Sequence, residues 1–569
     1  MYTKELMFEQ RNIIVKDDDL REQQSYIPIY NHFVKPEMKI NLNSTVLNYS
    51  VKILEAEKHE ETYNGFVGRT ANNERIPIFV KFCPLSDPLK IMVGKSDYSD
   101  FSLPSVGDAD HVFADANNSA YVDSFFSYLT SKLLHEHNFS HALDCYGSCL
   151  ALKQNFRVDI ADDIEYLFDS EYFMEHKDEF KITENLYEHF QPSQSCKFKK
   201  KLNIELENDV FDLQIDELEE NECAELTSET LKLLDVEDEL IYKCEPASKN
   251  GSDTNNTGSN CSSASCSSRT SITTEEGDIE SISDPEFQID DDDEDFIDSN
   301  NSSRSTSIYS CEEEDEPVYA YVDVLPTNMV FLEACSETLD DYMLNNDMGE
   351  GEWSSVLMQI VMTLVAFQEK FLFIHNDLHT SNVMYVPTSK EFLYYRYNER
   401  YYKVPTYGKI WKIIDFGRAI YKFKGKVIFS DCFSEKGDAS TQYNCEPYLN
   451  PDKQIVPPNF SFDLCRLACS LYDFFEEEED EGLQRIRYLI EEWLKDDKDR
   501  NILYKKNGEE RYEDFKLYKM ISRTVHHTVP REQLSRKIFT QYLVPRKNIK
   551  KKMHLVMNID EIPDFANEN

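Results

Sequence analysis

Residues 249–315 are almost entirely Ser, Asn, Asp and Glu, in runs such as SCSSRTSITTEEGDIESISD and IDDDDEDFIDSNNSS, with hardly a large apolar side chain. Such a stretch buries too little apolar area to offset the entropy lost on ordering, so it is predicted to be disordered. It divides the foldable sequence into an N-terminal and a C-terminal portion. The residues before it, 166–248, are acidic as well, with patchy hydrophobics. Residues 201–316 hold 35 Asp and Glu against 6 Lys and Arg, so -29 of the formal net charge of -47 sits there. The other 453 residues carry only -18.

This balance argues against general binding to nucleic acid or insertion into anionic membranes, because phosphates and acidic lipids recruit Lys and Arg. A basic partner is the complementary expectation for the acidic insert, and serines set among acids invite phosphorylation. The basic cluster RKNIKKK at 546–552 reads as a solvated tail, with an import signal or an acidic partner as alternatives. The 14 cysteines show no CxxC pair and no zinc-ligand spacing, which suits a reducing, intracellular setting. The beginning, MYTKELMFEQRN, has no apolar secretory core, and the longest apolar stretch, Val356 to Phe367, is too short to span a bilayer. A soluble protein is expected.

From about 41 to 85, short β-branched and aromatic runs alternate with turns. NNER at 72–75 separates GFVGRTA from IPIFVKF as a β-hairpin would. Tyr121, Val122, Phe125, Phe126, Leu129, Leu133 and Leu134 recur at helical spacing, predicting a helix over 118–136. A strand is expected near 144–158 and two more over 317–335. The pattern from Trp353 to Phe373 is again helical, and helices and turns alternate to about Leu543. The folded sequence thus reads as a small β-rich part, interrupted by the insert 166–316, and a larger helical part. A 1–44 extension precedes it, and a 542–569 tail ends the chain.

Chemistry concentrates in FIHNDLHTSNVMY, 373–385, and KIIDFGRAI, 412–420. Each apolar approach ends at a carboxylate. A lone Asp on such a loop would be a turn or cap residue, but here HxD is followed by Asn five residues on, and then by DFG.

That compound pattern resembles the protein-kinase superfamily, whose signature joins an H-R-D-L-x-x-x-N loop to D-F-G. The form HNDLHTSN also looks like haspin-type, aminoglycoside and choline kinases, and especially the divergent serine/threonine kinases of giant DNA viruses. The resemblance covers roughly 45–165 and 317–541. It implies an α+β, two-lobed protein-kinase-like fold with ATP and Mg²⁺ in the cleft, and a Ser/Thr protein substrate. If viral, the protein would act in the host cytoplasm or the virion. Asp377 would orient the acceptor hydroxyl and take its proton, while Asn382 and Asp415 would hold Mg²⁺. His375 would brace the loop, and His379 would either meet the γ-phosphate or shape the loop.

Upstream, IPIFVKF supplies Lys81 for the α/β-phosphates. MVFLEAC resembles a hinge, with Leu332 as gatekeeper and the backbones of Glu333 and Cys335 facing adenine. Asp463, in NFSFDLCRLACSLYDF, matches the helix acid that supports the catalytic loop from below. Departures stand beside these matches. ETYNGFVGRT offers Gly65 and Gly68 but no GxGxxG, so Gly65 is the nucleotide-loop candidate. The helix Glu that pairs with the Lys has only Asp123 and Glu136 as candidates, and no A-P-E is present. Asn376 stands where many kinases have the Arg that meets a phosphorylated activation loop. Activity is therefore expected to be independent of phosphorylation at Ser430, Ser434, Ser440, Thr441 and Tyr443. The alternatives are a small-molecule kinase and a catalytically weak scaffold displaying the insert.

Overall fold

A computed structural model describes residues 6–34, 40–48, 51–59, 62–96, 101–182, 318–477, 481–512 and 515–567. The disorder predicted for 249–315, with most of the acidic insert, lies outside these residues. The chain is mixed α+β, with a β-rich N-terminal region and a helical C-terminal part.

The N-terminal region is built on a seven-stranded sheet. Its strands are β1 (Ile14–Lys16), β2 (Leu20–Gln24), β3 (Ile53–Lys58), β4 (Gly65–Thr70), β5 (Arg75–Pro84), β6 (Cys145–Asp159) and β7 (Tyr319–Glu333), in the spatial order β1-β3-β4-β5-β7-β6-β2. The 1–44 stretch is thus more than an extension, since it supplies both edge strands. The β4–β5 hairpin has the expected turn, with Asn73 at φ 64°, a conformation Asn tolerates.

The 317–335 stretch is one strand rather than the expected two, because Pro326 does not break it. The last pair between β5 and β7 is Pro84 with Thr327. Pro326 points its carbonyl to that same side, where it accepts from the Leu85 amide. A missing N–H there costs no ladder bond.

Helix α1 (Ser119–His137) is capped by the Asn118 side chain on the Ala120 amide and closes with Asn138 at φ 54°. Spacing implied one apolar face, yet every residue from Ala120 to Leu133 is buried. The reason is position, since α1 packs on the sheet and also on the helical part. Phe126 lies against Phe373, Phe416 and Tyr421 at ring distances of 4.3, 4.8 and 4.7 Å. Helix α2 (Glu350–Phe371) ends with Leu372 at φ 51°, immediately before the motif-bearing loop.

The end of the chain is not the expected free tail. The strand Val556–Asn558 pairs in parallel with Phe392–Tyr397, Ile549 is 1% exposed beside Tyr394 and Tyr401, and Phe565 stacks on Phe371 at 5.2 Å. Full burial of an Ile or Phe side chain is worth about 1.5–3 kcal/mol, enough to dock an otherwise basic segment. Among the described residues no helix is long and apolar enough to cross a membrane.

Strands β6 and β7 are antiparallel neighbours whose register pairs Asp159 with Tyr319, so the chain leaves and re-enters at one place. The insert starts later than its composition suggested. Leu167, Phe173 and Phe180 are buried in the sheet's core, and the Tyr321 amide donates to the Phe180 carbonyl at 2.7 Å. Deleting 183–317 rather than 166–316, with a linker of about six Gly/Ser residues, should therefore preserve the fold. It should raise stability by about 2–3 kcal/mol of closure entropy. Urea unfolding checks this, and a chain that no longer folds cooperatively would overturn it.

Candidate active site

Local pairing brings the two motifs together. Strands β8 (Val383–Pro387) and β11 (Lys409–Ile413) form a ladder with Val383 opposite Ile413, and the Ile414 amide donates to the Asn382 carbonyl at 3.0 Å. Asn382 and Asp415 thus sit at the same end of one ribbon; the intervening β9 (Phe392–Tyr397) and β10 (Arg400–Pro405) form a separate hairpin. Ile374 and Ile420 exchange both backbone hydrogen bonds at 2.9 Å, closing the second side.

Helix α3 (Phe462–Glu477) anchors the loop from below. Both Asp463 oxygens accept from the His375 amide, at 3.1 and 3.0 Å, and Oδ1 also accepts from the Asn376 amide at 3.0 Å. His375 meets the Ile414 carbonyl through Nε2 at 2.9 Å, leaving Nδ1 to accept from the Asp377 amide at 3.3 Å. The imidazole is a brace between the motifs.

Burial pushes the Asp463 carboxyl up to about 6, against the opposing pull of His375 and the two amides. An unfolded Asp titrates near about 4. Between those values the folded chain holds a proton that the unfolded chain has lost. This group makes stability fall as pH rises through that window, by about 3 kcal/mol in all, and adds no slope above it. Asp463→Asn should remove that slope, so its unfolding free energy relative to the unaltered protein should climb between about pH 4 and 6. Urea titrations across that range would show a constant difference if the assignment were wrong.

From the sheet, Lys81 on β5 projects into the same place. Its Nζ lies 2.6 Å from Asp123 Oδ2 and 3.0 Å from Asp415 Oδ1. The lysine partner left open between Asp123 and Glu136 is Asp123; Glu136 pairs instead with Lys132 on its own helix at 2.9 Å. Asp123 Oδ1 also accepts from the Phe416 amide at 2.9 Å, so one carboxylate ties α1 to both β5 and the D-F-G turn. Asp415 itself takes φ 63°. Burial opposes its charge, but Lys81 outweighs this and holds the carboxyl below its ordinary range.

Asp377 is fixed by side chains from elsewhere. Burial alone would raise its pKa; His379, Arg418, Arg466 and the Tyr518 hydroxyl outweigh it and keep the carboxyl well below the usual carboxylate range. Asn382 Nδ2 donates to the Asp377 carbonyl at 2.9 Å and meets His379 Nε2 at 3.0 Å. His379 therefore contacts the loop it was expected either to shape or to reach beyond.

The metal donors expected from the motif fit a hard cation. Asp415 Oδ2 and Asn382 Oδ1 accept no hydrogen bond from a described residue. Among the described residues no three His, Cys, Asp or Glu side chains cluster as a metal site. A bound Mg²⁺ would complete its shell with phosphate and water oxygens, as that ion ordinarily does.

The nucleotide-contact candidates fare unequally. Gly65 begins β4, and a Cβ there would lie 2.3 Å from Thr62 Oγ1. The Thr62 side chain thus packs against the Gly65 Cα, where a larger residue would force it to move. The Glu333 side chain is held by Lys412 and by the Asp144 amide at 2.8 Å, and its own amide donates to the Asp144 carbonyl at 3.0 Å, so only its carbonyl could serve a base. Leu332, the expected gatekeeper, is buried on β7. The Cys335 backbone makes no hydrogen bond with a described residue and remains open to one. No protein-family model matches the chain, and no curated protein sequence matches it either.

Proposed function

We propose that the protein is an ATP-dependent phosphotransferase on a two-lobed protein-kinase-like fold, acting on serine or threonine hydroxyls of a protein. The observation that carries this reading is the convergence of Lys81, Asp123 and Asp415 within salt-bridge distance, beside a loop that carries Asp377 and Asn382. A buried lysine shared by two carboxylates suits a site where phosphate charge must be balanced.

In this role Lys81 binds the α- and β-phosphates, and the backbones of Glu333 and Cys335 face the base. Asn382 and Asp415 hold Mg²⁺, which supplies charge neutralisation at the phosphates. The acceptor oxygen bonds to the γ-phosphorus as the bond to the β–γ bridging oxygen breaks. Asp377 orients the hydroxyl and takes its proton, and ADP leaves. Low basicity at Asp377 is compatible with a loose transition state, in which positioning matters more than proton abstraction.

Side-chain contacts hold the segment after D-F-G. Asn376 accepts from the Tyr443 hydroxyl at 2.5 Å and donates to the Arg418 carbonyl at 3.0 Å; Arg418 pairs with Asp438. Asp431 accepts from the Ser119 amide at 2.9 Å, joining the segment to the first turn of α1. Replacing Ser434, Ser440 and Thr441 together by Ala should leave activity within about twofold, because none of the three hydroxyls makes a hydrogen bond with a described residue. Ser430 and Tyr443 are excluded because their hydroxyls hold Gly417 and Asn376. A tenfold or greater loss in the triple variant, read by labelled-phosphate transfer, would count against phosphate-independent ordering.

The function itself is tested with γ-labelled ATP, Mg²⁺ and a mixture of generic protein substrates. Label should pass to protein and should vanish with chelator. Transfer only to an aminoglycoside or choline would favour a small-molecule kinase, and transfer no greater than a protein-free blank would overturn the proposal.

A further inference from the structure

We propose that Tyr518, on helix α4 (Lys516–Thr524), is a positioning residue for Asp377, holding one carboxylate oxygen so that the other meets the acceptor hydroxyl; this rests on the phosphotransferase reading. The Tyr518 hydroxyl donates to Asp377 Oδ1 at 2.6 Å and accepts from Arg466 Nε at 2.9 Å. Asp377 Oδ2 accepts no hydrogen bond from a described residue. A carboxylate otherwise free to turn about its side-chain torsions is thereby left with one oxygen engaged and one available.

The phenol can impose this orientation because it is itself fixed. Its ring stacks on Phe515 at 5.1 Å with planes 12° apart, and meets Phe462 at 5.9 Å. The Arg466 and Arg418 guanidinium groups lie 5.1 and 5.6 Å from the ring centroid. Arg466 is one helical turn beyond Asp463 on α3. The same helix thus holds the loop backbone through Asp463 and reaches the Asp377 side chain through Arg466 and Tyr518. A cation on the phenol oxygen strengthens its donation to the carboxylate.

Two other roles make opposite forecasts. Tyr518 could simply pack α4 onto α3, in which case Phe would serve as well. It could also occupy the acceptor's place, in which case its removal would raise turnover. The test compares kcat, ATP KM and thermal midpoint for the full-length protein, Tyr518→Phe, Arg466→Gln and the double variant, using labelled ATP and a generic protein substrate.

If Tyr518 positions Asp377, Tyr518→Phe should lower kcat about tenfold while ATP KM stays within about twofold, as loss of one charge-assisted hydrogen bond felt in the transition state requires. The ring contacts persist in this variant, so the thermal midpoint should hold. The double variant should be no worse than about twofold below the more damaged single variant, because both substitutions act through one hydroxyl. Unchanged kcat, increased kcat, or fully additive losses would each overturn the inference. Transfer by the unaltered protein that Tyr518→Phe leaves intact overturns this inference alone. Absence of transfer by the unaltered protein overturns the phosphotransferase reading and the inference with it.

Discussion

Asp415→Asn should lower ATP-dependent phosphoryl transfer at least about a thousandfold, the equivalent of about 4 kcal/mol of transition-state stabilisation. The substitution keeps the shape of the side chain and removes its charge. Lys81 then faces one carboxylate instead of two, and the proposed cation loses its only charged protein donor. The fold should tolerate the change, because Asp415 is partly exposed and an amide oxygen in its place can still accept from the Lys81 ammonium and the Gly417 amide. Labelled-phosphate transfer together with thermal unfolding separates these effects. Equal activity in both proteins would remove Asp415 from the chemistry.

Asp123→Ala should be nearly as damaging, lowering kcat/KM by about two to three orders of magnitude. Truncating one member of a buried ion pair typically costs about 3–5 kcal/mol, much of it from the uncompensated partner. Here three partners lose an acceptor at once: the Lys81 ammonium, the Phe416 amide and, more weakly, the Cys83 thiol. The ammonium would lean wholly on Asp415, drawing that carboxylate from the cation, and the D-F-G turn would lose its tie to α1. Glu136→Ala supplies the contrast. Its carboxylate serves the buried Lys132 along the helix and neither Lys81 nor the D-F-G turn, so the thermal midpoint should fall while the activity of the folded protein stays within about threefold. A reversal of the two outcomes would mean that α1 is placed differently against the sheet.

The sequence made part of this site legible because its motifs are local. Asp377 and Asn382 share one loop, and an apolar strand leads directly to Asp415, so the compound pattern that resembles the kinase signature groups them. Asp123 was harder, since no spacing rule separates it from Glu136. Its usable signal was chemical: a carboxylate between Val122 and Phe125 in a buried run must find a cation or donor. Tyr518 carries no such signal. Its contact with Asp377 spans 141 positions, and no pattern in its own helix marks it. Composition misled at both ends of the described chain. Residues 14–24 look unremarkably polar yet form the sheet's edges, and RKNIKKK looks like a loose tail although Ile549 and Phe565 dock the segment around it.

The central position of β7 has a consequence for the order in which the protein assembles. Its partners β5 and β6 are made first, and the 159 residues 160–318 are synthesised before β7 can join them. At about 5–20 residues per second a ribosome needs roughly 8–32 s to traverse that stretch. Throughout that interval the strand-bonding edges of β5 and β6 that β7 will cover lack their partner, so the chain's most acidic segment emerges just when unpaired strands are most prone to associate. Its charge is then a kinetic asset, keeping neighbouring nascent chains apart until the middle of the sheet is filled.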